Sequence, residues 1–308
     1  MTLAFLFPGQ GSQSKGMLLE LAQSHSTIRS TFEEASDVLG YSVWKLIEDD
    51  ERLNETEFTQ PALLASSIAL YRLWREQGGP KPALAAGHSL GEYSALCAAG
   101  ALEFSDALKL VQARGRFMQS AIAEGVGAMA AILGCDNQEV DALCRQVGSE
   151  GMMLSAANYN AEGQVVVAGH VQAIVLLHQL SQSKGFKVMP LPVSVPSHCV
   201  LMTPASKQLQ QYFKEIEFKA PEFKILHNVD VATHDNDHDI KQALINQVSS
   251  PVLWSDTMAA LNELGADKYV ECGPGKVLAG LGKRQSKRVQ VASLHTQTDF
   301  EAALAALS

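Results

Sequence analysis

The sequence predicts an α/β fold: a large domain built on a mostly parallel sheet, with a small βαββαβ domain inserted into it. Three observations carry this. Apolar strand candidates alternate with helical patterns from the first residues onward, the signature of a parallel sheet covered by helices. Gly87-His88-Ser89-Leu90-Gly91 reads G-x-S-x-G between a strand and a helix. After Gly125 and Gly127 the order of elements changes to strand, helix, strand, strand, helix, strand.

Leu3 to Phe7 is a continuous apolar run, as a buried strand requires, and it empties into the polar glycine loop Pro8-Gly9-Gln10-Gly11-Ser12-Gln13. Helical patterns follow near 15–25 and 27–39, the second stopped by Gly40. Thr59 can cap a helix with Pro61 in its first turn; Leu64, Ile68 and Tyr71 form its stripe, and Gly78-Gly79 ends it. Ala83 to Ala86 is a short strand, followed by helices near 92–99 and 105–123.

In the inserted segment, Ala128 to Leu133 reads as a strand and Gln138 to Val147 as a helix. Met152 to Asn158 and Gln164 to Ala168 read as strands, Val171 to Ser183 as a helix, and Lys187 to Val193 as a strand. That is the ferredoxin-like order. The expected division is therefore 1–124 with 196–308 for the large domain and 125–195 for the small one. Strands near 224–228, 268–271 and 289–293 return the chain to the α/β pattern.

The chain has 308 residues, 46% hydrophobic and 19% charged, enough for a substantial core. A net charge of −9 argues against nucleic acid or an anionic membrane as the main partner. No apolar run approaches the roughly 20 residues of a membrane span, and no secretory leader is expected, since Leu3 to Phe7 is short and ends at Pro8-Gly9. Cys97, Cys135, Cys144, Cys199 and Cys272 are scattered and odd in number, which suggests reduced thiols in a cytoplasmic protein. No metal or cofactor is expected.

A strand that turns sharply into a helix presents its middle serine at the tip of the bend, beside free helix N–H groups. Ser89 is therefore a candidate nucleophile for acyl transfer, and the large domain is expected to be α/β-hydrolase-like. A serine hydroxyl needs a base within hydrogen-bond reach. His88 neighbours Ser89, but adjacent side chains diverge in a sharp turn, and it reads better as structural. His234 and His238 lie in a polar stretch, 233–239, that reads as a solvated turn and not a metal site. His25, His170, His178, His227 and His295 show no special setting. His198, beside Pro196 at the domain junction, is the best of several candidates. Gly273-Pro274-Gly275-Lys276 is not a phosphate loop, because no G-x-x-x-x-G-K-[ST] can be written: Lys283 precedes Arg284, and Val277 stands five residues before Gly282. It reads as a structural loop.

The chain resembles the malonyl-CoA:acyl carrier protein transacylases of fatty acid synthesis over essentially its whole length. The blocks that carry the resemblance are Phe7 to Gln13, Gly87 to Glu92, Arg114-Gly115-Arg116-Phe117-Met118, Gly127-Ala128-Met129, Pro196-Ser197-His198-Cys199 and Gly273 to Lys276. The resemblance implies Ser89 as nucleophile, His198 as base, and the N–H groups of Gln10 and Leu90 as oxyanion hole. It implies backbone carbonyls in place of a triad carboxylate, that of Leu253 being one, where many relatives carry Gln or Arg. It implies that Arg114 pairs with the malonyl carboxylate, a match for the two parallel donors of a guanidinium. Met118 is expected to line the same pocket, and Asn160 to reach the substrate from the small domain. Ser197, beside the base, hints at pocket size.

The implied partners are malonyl-CoA and holo acyl carrier protein. Lys276, Lys283, Arg284, Lys287 and Arg288 concentrate positive charge. They read as a solvated face or, more sharply, as a dock for that acidic carrier. The rival readings are a serine esterase or thioesterase, a free-standing acyltransferase serving a polyketide synthase, and a non-catalytic binding protein.

Overall fold

A computed structural model of the chain describes residues 1–148, 151–193, 195–285 and 289–307. The large domain holds a five-stranded sheet in the order β7-β2-β1-β8-β9, with every neighbouring pair parallel. Its strands are β1 (Leu3–Phe7), β2 (Leu84–Gly87), β7 (Lys224–Leu226), β8 (Lys268–Glu271) and β9 (Val291–Ser293). All five residues of β1 are buried, since helices cover both faces of a central parallel strand. Phe5 and Phe7 join a core with Phe32 and Trp74 on one face; Ala4 and Leu6 join Trp254 and Met258 on the other. The register pairs Phe7 with Gly87. The loop after β1 and the turn after β2 therefore leave the sheet side by side at its carboxyl edge, where sites form in such folds.

The helices before the elbow are α1 (Leu19–Ser24), α2 (Ser26–Leu39), α3 (Val43–Asp49) and α4 (Thr56–Glu76). α1 is shorter than its pattern because Gly16 and Leu18 take left-handed backbone angles ahead of it. α4 begins at Thr56, and Thr59 does not cap it. The Thr59 hydroxyl donates back to the carbonyls of Leu53 and Glu55, at 2.6 and 2.9 Å, from inside the helix. α5 (Gly91–Ala98) and α6 (Phe104–Ser120) follow.

The second sheet is antiparallel, in the order β4-β5-β3-β6. It is built from β3 (Gly127–Leu133), α7 (Asn137–Val147), β4 (Leu154–Ala161), β5 (Gln164–His170), α8 (Val171–Lys184) and β6 (Lys187–Pro190). In the segment's own numbering the order is 2-3-1-4, as the ferredoxin-like arrangement requires. Ile132, Val140, Leu143, Val165, Val167 and Leu177 give it a core of its own. Two main-chain hydrogen bonds join it to the large domain: Tyr159 N to Val252 O at 3.0 Å and Val252 N to Ala157 O at 2.8 Å.

The remaining helices are α9 (Thr203–Tyr212), α10 (Asp237–Gln247), α11 (Trp254–Glu263), α12 (Val277–Gln285) and α13 (Gln297–Leu307). The stretch 233–239 is only partly a turn. Asn236 accepts a hydrogen bond from the Asp239 N–H and so caps α10, which starts at Asp237. No helix among the described residues is long and apolar enough to cross a membrane.

Candidate active site

The turn from β2 into α5 holds Ser89 at φ 53°, a left-handed backbone angle. Only glycine fits on either side of it. A Cβ on Gly87 would stand 1.9 Å from the Gly91 carbonyl carbon, and one on Gly91 would stand 1.9 Å from the Phe7 carbonyl oxygen. Asn228, just past β7, completes the turn. Its Oδ1 accepts from Ser89 N at 2.7 Å, and its Nδ2 donates to Gly87 O at 2.6 Å.

His198 meets Ser89 from the domain junction. The residue is 3% exposed, and its Nε2 lies 2.7 Å from Ser89 Oγ. Nδ1 lies 2.7 Å from the main-chain carbonyl of Gln247, which accepts hydrogen bonds but donates none. That contact places the proton on Nδ1 and leaves the Nε2 lone pair facing the serine hydroxyl. Burial pushes the imidazole pKa down to about 3, helped by the positive charge of Arg114 and opposed by the Gln247 carbonyl. The ring is therefore neutral at neutral pH.

The carbonyl that orients the ring belongs to Gln247 and not to Leu253. Leu253 sits at the start of α11, where its carbonyl accepts from the Thr257 N–H and hydroxyl at 2.9 and 2.8 Å. Gln247 ends α10, where carbonyls have lost their partners in the next turn and are free for other donors.

Gln10 and Leu90 both line the cleft. Among the described residues neither main-chain N–H donates within the chain. Arg114, on α6, is 1% exposed. One of its terminal nitrogens donates to Ser89 Oγ at 3.2 Å and to Gln247 Oε1 at 2.9 Å, and the guanidinium lies 5.3 Å from the Tyr93 ring centre. Burial lowers the pKa of Arg114, against the opposing influence of Tyr93 and Glu92. Met118 is buried one turn further along, its sulfur 3.5 Å from Gln60 Nε2.

Asn160 does not line the cleft. Its Oδ1 lies 2.9 Å from His88 Nε2, so it fixes the histidine beside the nucleophile; His88 also packs on Trp254. Asn158, two residues earlier on the same face of β4, lines the cleft in its place, as do Thr56, Gln60 and Ser197. The cleft holds about 90 Å³ of open volume.

Beneath the elbow lies a buried polar cluster that no local pattern in the sequence marks. Glu92, in the first turn of α5, accepts from His227 Nδ1 at 2.5 Å, Asn228 N at 3.0 Å and Gln247 Nε2 at 2.9 Å. His227 thus has a setting that its sequence neighbours do not announce. His234 pairs with Asp230 at 2.8 Å, and no group of metal-ligating side chains occurs among the described residues. Gly273 packs on Pro8, under the loop that carries Gln10. Of the basic residues, Lys276 pairs with Asp299, Lys283 and Arg284 stand in the last turn of α12, and Lys287 and Arg288 lie outside the described residues.

A hydroxyl held against a neutral imidazole, beside two unused N–H donors, has the parts for acyl transfer through a serine ester. Comparisons with known proteins agree. The family described as acyl transferase domain matches residues 4–299. The malonyl CoA-acyl carrier protein transacylase of Escherichia coli K12 is 47% identical over 304 residues, 98% of each chain. The structure of the enzyme of that name from Coxiella burnetii superposes with a TM-score of 0.97 at 42% identity, covering 100% of this chain and 98% of the other. A type II polyketide synthase acyl-carrier protein in complex with its malonyl-transacylase gives a TM-score of 0.97 at 45% identity, covering 99% of this chain and 100% of that one. With the matched residues reaching from the first strand into the last helix, the chain belongs to the acyl transferase domain family.

Proposed function

We propose that this protein moves a malonyl group from malonyl-CoA to the phosphopantetheine thiol of holo acyl carrier protein, supplying fatty acid synthesis in the cytoplasm. The observation that carries the reading is the buried Arg114 guanidinium, 3.2 Å from Ser89 Oγ. A desolvated cation beside the nucleophile matches an acyl group that ends in a carboxylate. A neutral acetyl group would offer it no carboxylate and leave its remaining donors unmet.

In the first step His198 Nε2 takes the Ser89 hydroxyl proton as Oγ attacks the thioester carbonyl. The oxyanion sits against the N–H groups of Gln10 and Leu90. As the C–S bond breaks, coenzyme A leaves as its thiol with the proton from His198, and malonyl remains as an ester on Ser89. In the second step His198 takes the proton of the carrier thiol, and sulfur attacks the ester. Ser89 Oγ then leaves and regains the proton. The Gln247 carbonyl stabilises the imidazolium in both steps without itself taking a proton. Met118 and the side chains around it exclude water from the ester.

Intact mass after incubation with malonyl-CoA tests the reading. The parent is expected to gain one malonyl group, Ser89→Ala none, and Arg114→Ala to lose the preference for malonyl over acetyl. Rapid release of malonate with no adduct would make the protein a hydrolase. Parallel assays with fatty acid and polyketide carriers decide which carrier it serves.

A further inference from the structure

Arg114 reaches the nucleophile only because something buried holds it there. The guanidinium is nine-tenths or more enclosed, and among the described residues its Nε–H has no partner. The group that holds its terminal nitrogen is the side-chain amide of Gln247, which is fully buried. Gln247 Oε1 accepts from Arg114, while Nε2 donates to the Ser89 carbonyl and to Glu92 Oε2, each at 2.9 Å. Turning the amide over would set its NH₂ against the guanidinium and its oxygen against a carbonyl and a carboxylate. The contacts therefore allow one orientation only. Glu92, at the far end of the amide, is fully buried as well.

We propose that Gln247 is a positioning residue for acyl selection: its amide links Arg114 to a buried counter-charge on Glu92 and so aims the guanidinium at the substrate carboxylate. The inference rests on the malonyl-transfer reading above. One residue then serves two ends of the site by separate atoms. Its main-chain carbonyl orients His198, and its side chain sets Arg114. Before substrate arrives, Glu92 balances the arginine through the amide. When the malonyl carboxylate arrives it takes up the unused donors of Arg114, and the amide, with the Tyr93 ring beside the guanidinium, keeps the fork in place. The Glu92 charge also weakens the pull of Arg114 on a second anion, so the pair tunes how tightly the carboxylate is held.

Two variants push this arrangement in opposite directions. Gln247→Met keeps the length and the main-chain carbonyl but removes the amide. Glu92→Gln removes the charge: its oxygen can still accept from Asn228 N and Gln247, and its NH₂ can face His227 Nδ1 once that ring changes tautomer. Loading of malonyl-CoA and acetyl-CoA is followed by intact mass for both variants and the parent, with melting temperatures in parallel.

In Gln247→Met the malonyl-to-acetyl loading ratio is expected to fall at least tenfold, with the acid limb of the pH profile unmoved because the His198 partner is intact. In Glu92→Gln the KM for malonyl-CoA is expected to fall at least threefold and that for acetyl-CoA to stay. A purely structural role would lower both substrates in parallel; an unchanged ratio in Gln247→Met, or equal shifts in Glu92→Gln, overturns the proposal. If Gln247→Met does not fold, Glu92→Gln decides alone. A parent that takes up no malonyl overturns the transfer reading and this inference with it. A parent that loads malonyl, with variants whose ratios do not move, overturns the inference alone.

Discussion

The main-chain carbonyl of Gln247 and Nδ1 of His198 stand 2.7 Å apart, and this one contact decides how the site works. A carboxylate in that place would raise the imidazole pKa and hold a full charge in the cleft. The carbonyl fixes the same tautomer with only a dipole. The ring is neutral because burial pushes its pKa down to about 3, and the carbonyl dipole opposes that only in part.

Malonyl loading should therefore keep most of its rate well below the ordinary histidine pKa of 6.5. Single-turnover loading at pH 5 is expected within about threefold of that at pH 7, since the base is still unprotonated there. A rate that halves near pH 6.5 would show that His198 titrates normally.

Stability should run the other way with acid. Between pH 6.5 and about 3 the unfolded chain binds a proton at His198 that the native chain does not, so stability falls as pH drops through that window. The depressed pKa of buried His88 adds to the same trend. The melting temperature is expected to be lower at pH 5 than at pH 7, and His198→Ala should narrow the gap. A gap that His198→Ala leaves untouched assigns the acid sensitivity elsewhere.

Gly91→Ala would drive a methyl into the Phe7 carbonyl, which stands 1.9 Å from the new atom. Because that neighbour is backbone in the central strand, relief requires the elbow to move. A loss of about 1–3 kcal/mol in urea unfolding, with loading nearly abolished, is expected. Normal loading would mean that the turn gives way without harm to Ser89.

Leu253→Ala should leave loading within about twofold of the parent, since the carbonyl of that residue is committed to α11 and survives the change. A large loss in kcat would return Leu253 to the site.

Lys283→Glu combined with Arg284→Glu should raise KM for the carrier several-fold and spare KM for malonyl-CoA, with a smaller effect at high salt. If both KM values hold still, the end of α12 is not the dock.

The strands, the elbow and three of the site residues were legible because each is written locally. Ser89 announces itself by two glycines and a strand before a helix; His198 and Arg114 sit in short blocks with a family pattern. Gln247 and Asn228 are different. Asn228 stands 139 residues from Ser89, Gln247 158, and only the sheet order brings them together. The Gln247 carbonyl is hard to tell from that of Leu253 in the sequence for a related reason. Which carbonyls are free depends on where α10 ends and α11 begins, and neither helix shows a strong apolar stripe. Asn160 stands two positions past Asn158 on a strand whose register shifts between Tyr159 and Ala161, so it meets His88 and not the cleft. The ferredoxin-like order, by contrast, could be read directly, since six short elements in the order βαββαβ leave few other ways to close a sheet.

The pair of main-chain hydrogen bonds between β4 and Val252 bears on how substrates come and go. The small domain is stitched to the large one beside the cleft, at Asn158, by contacts between main-chain atoms. A swinging lid would have to break that seam at every turnover. On the malonyl-transfer reading, both thiol carriers would reach Ser89 past a wall that the Val252 seam ties to the large domain.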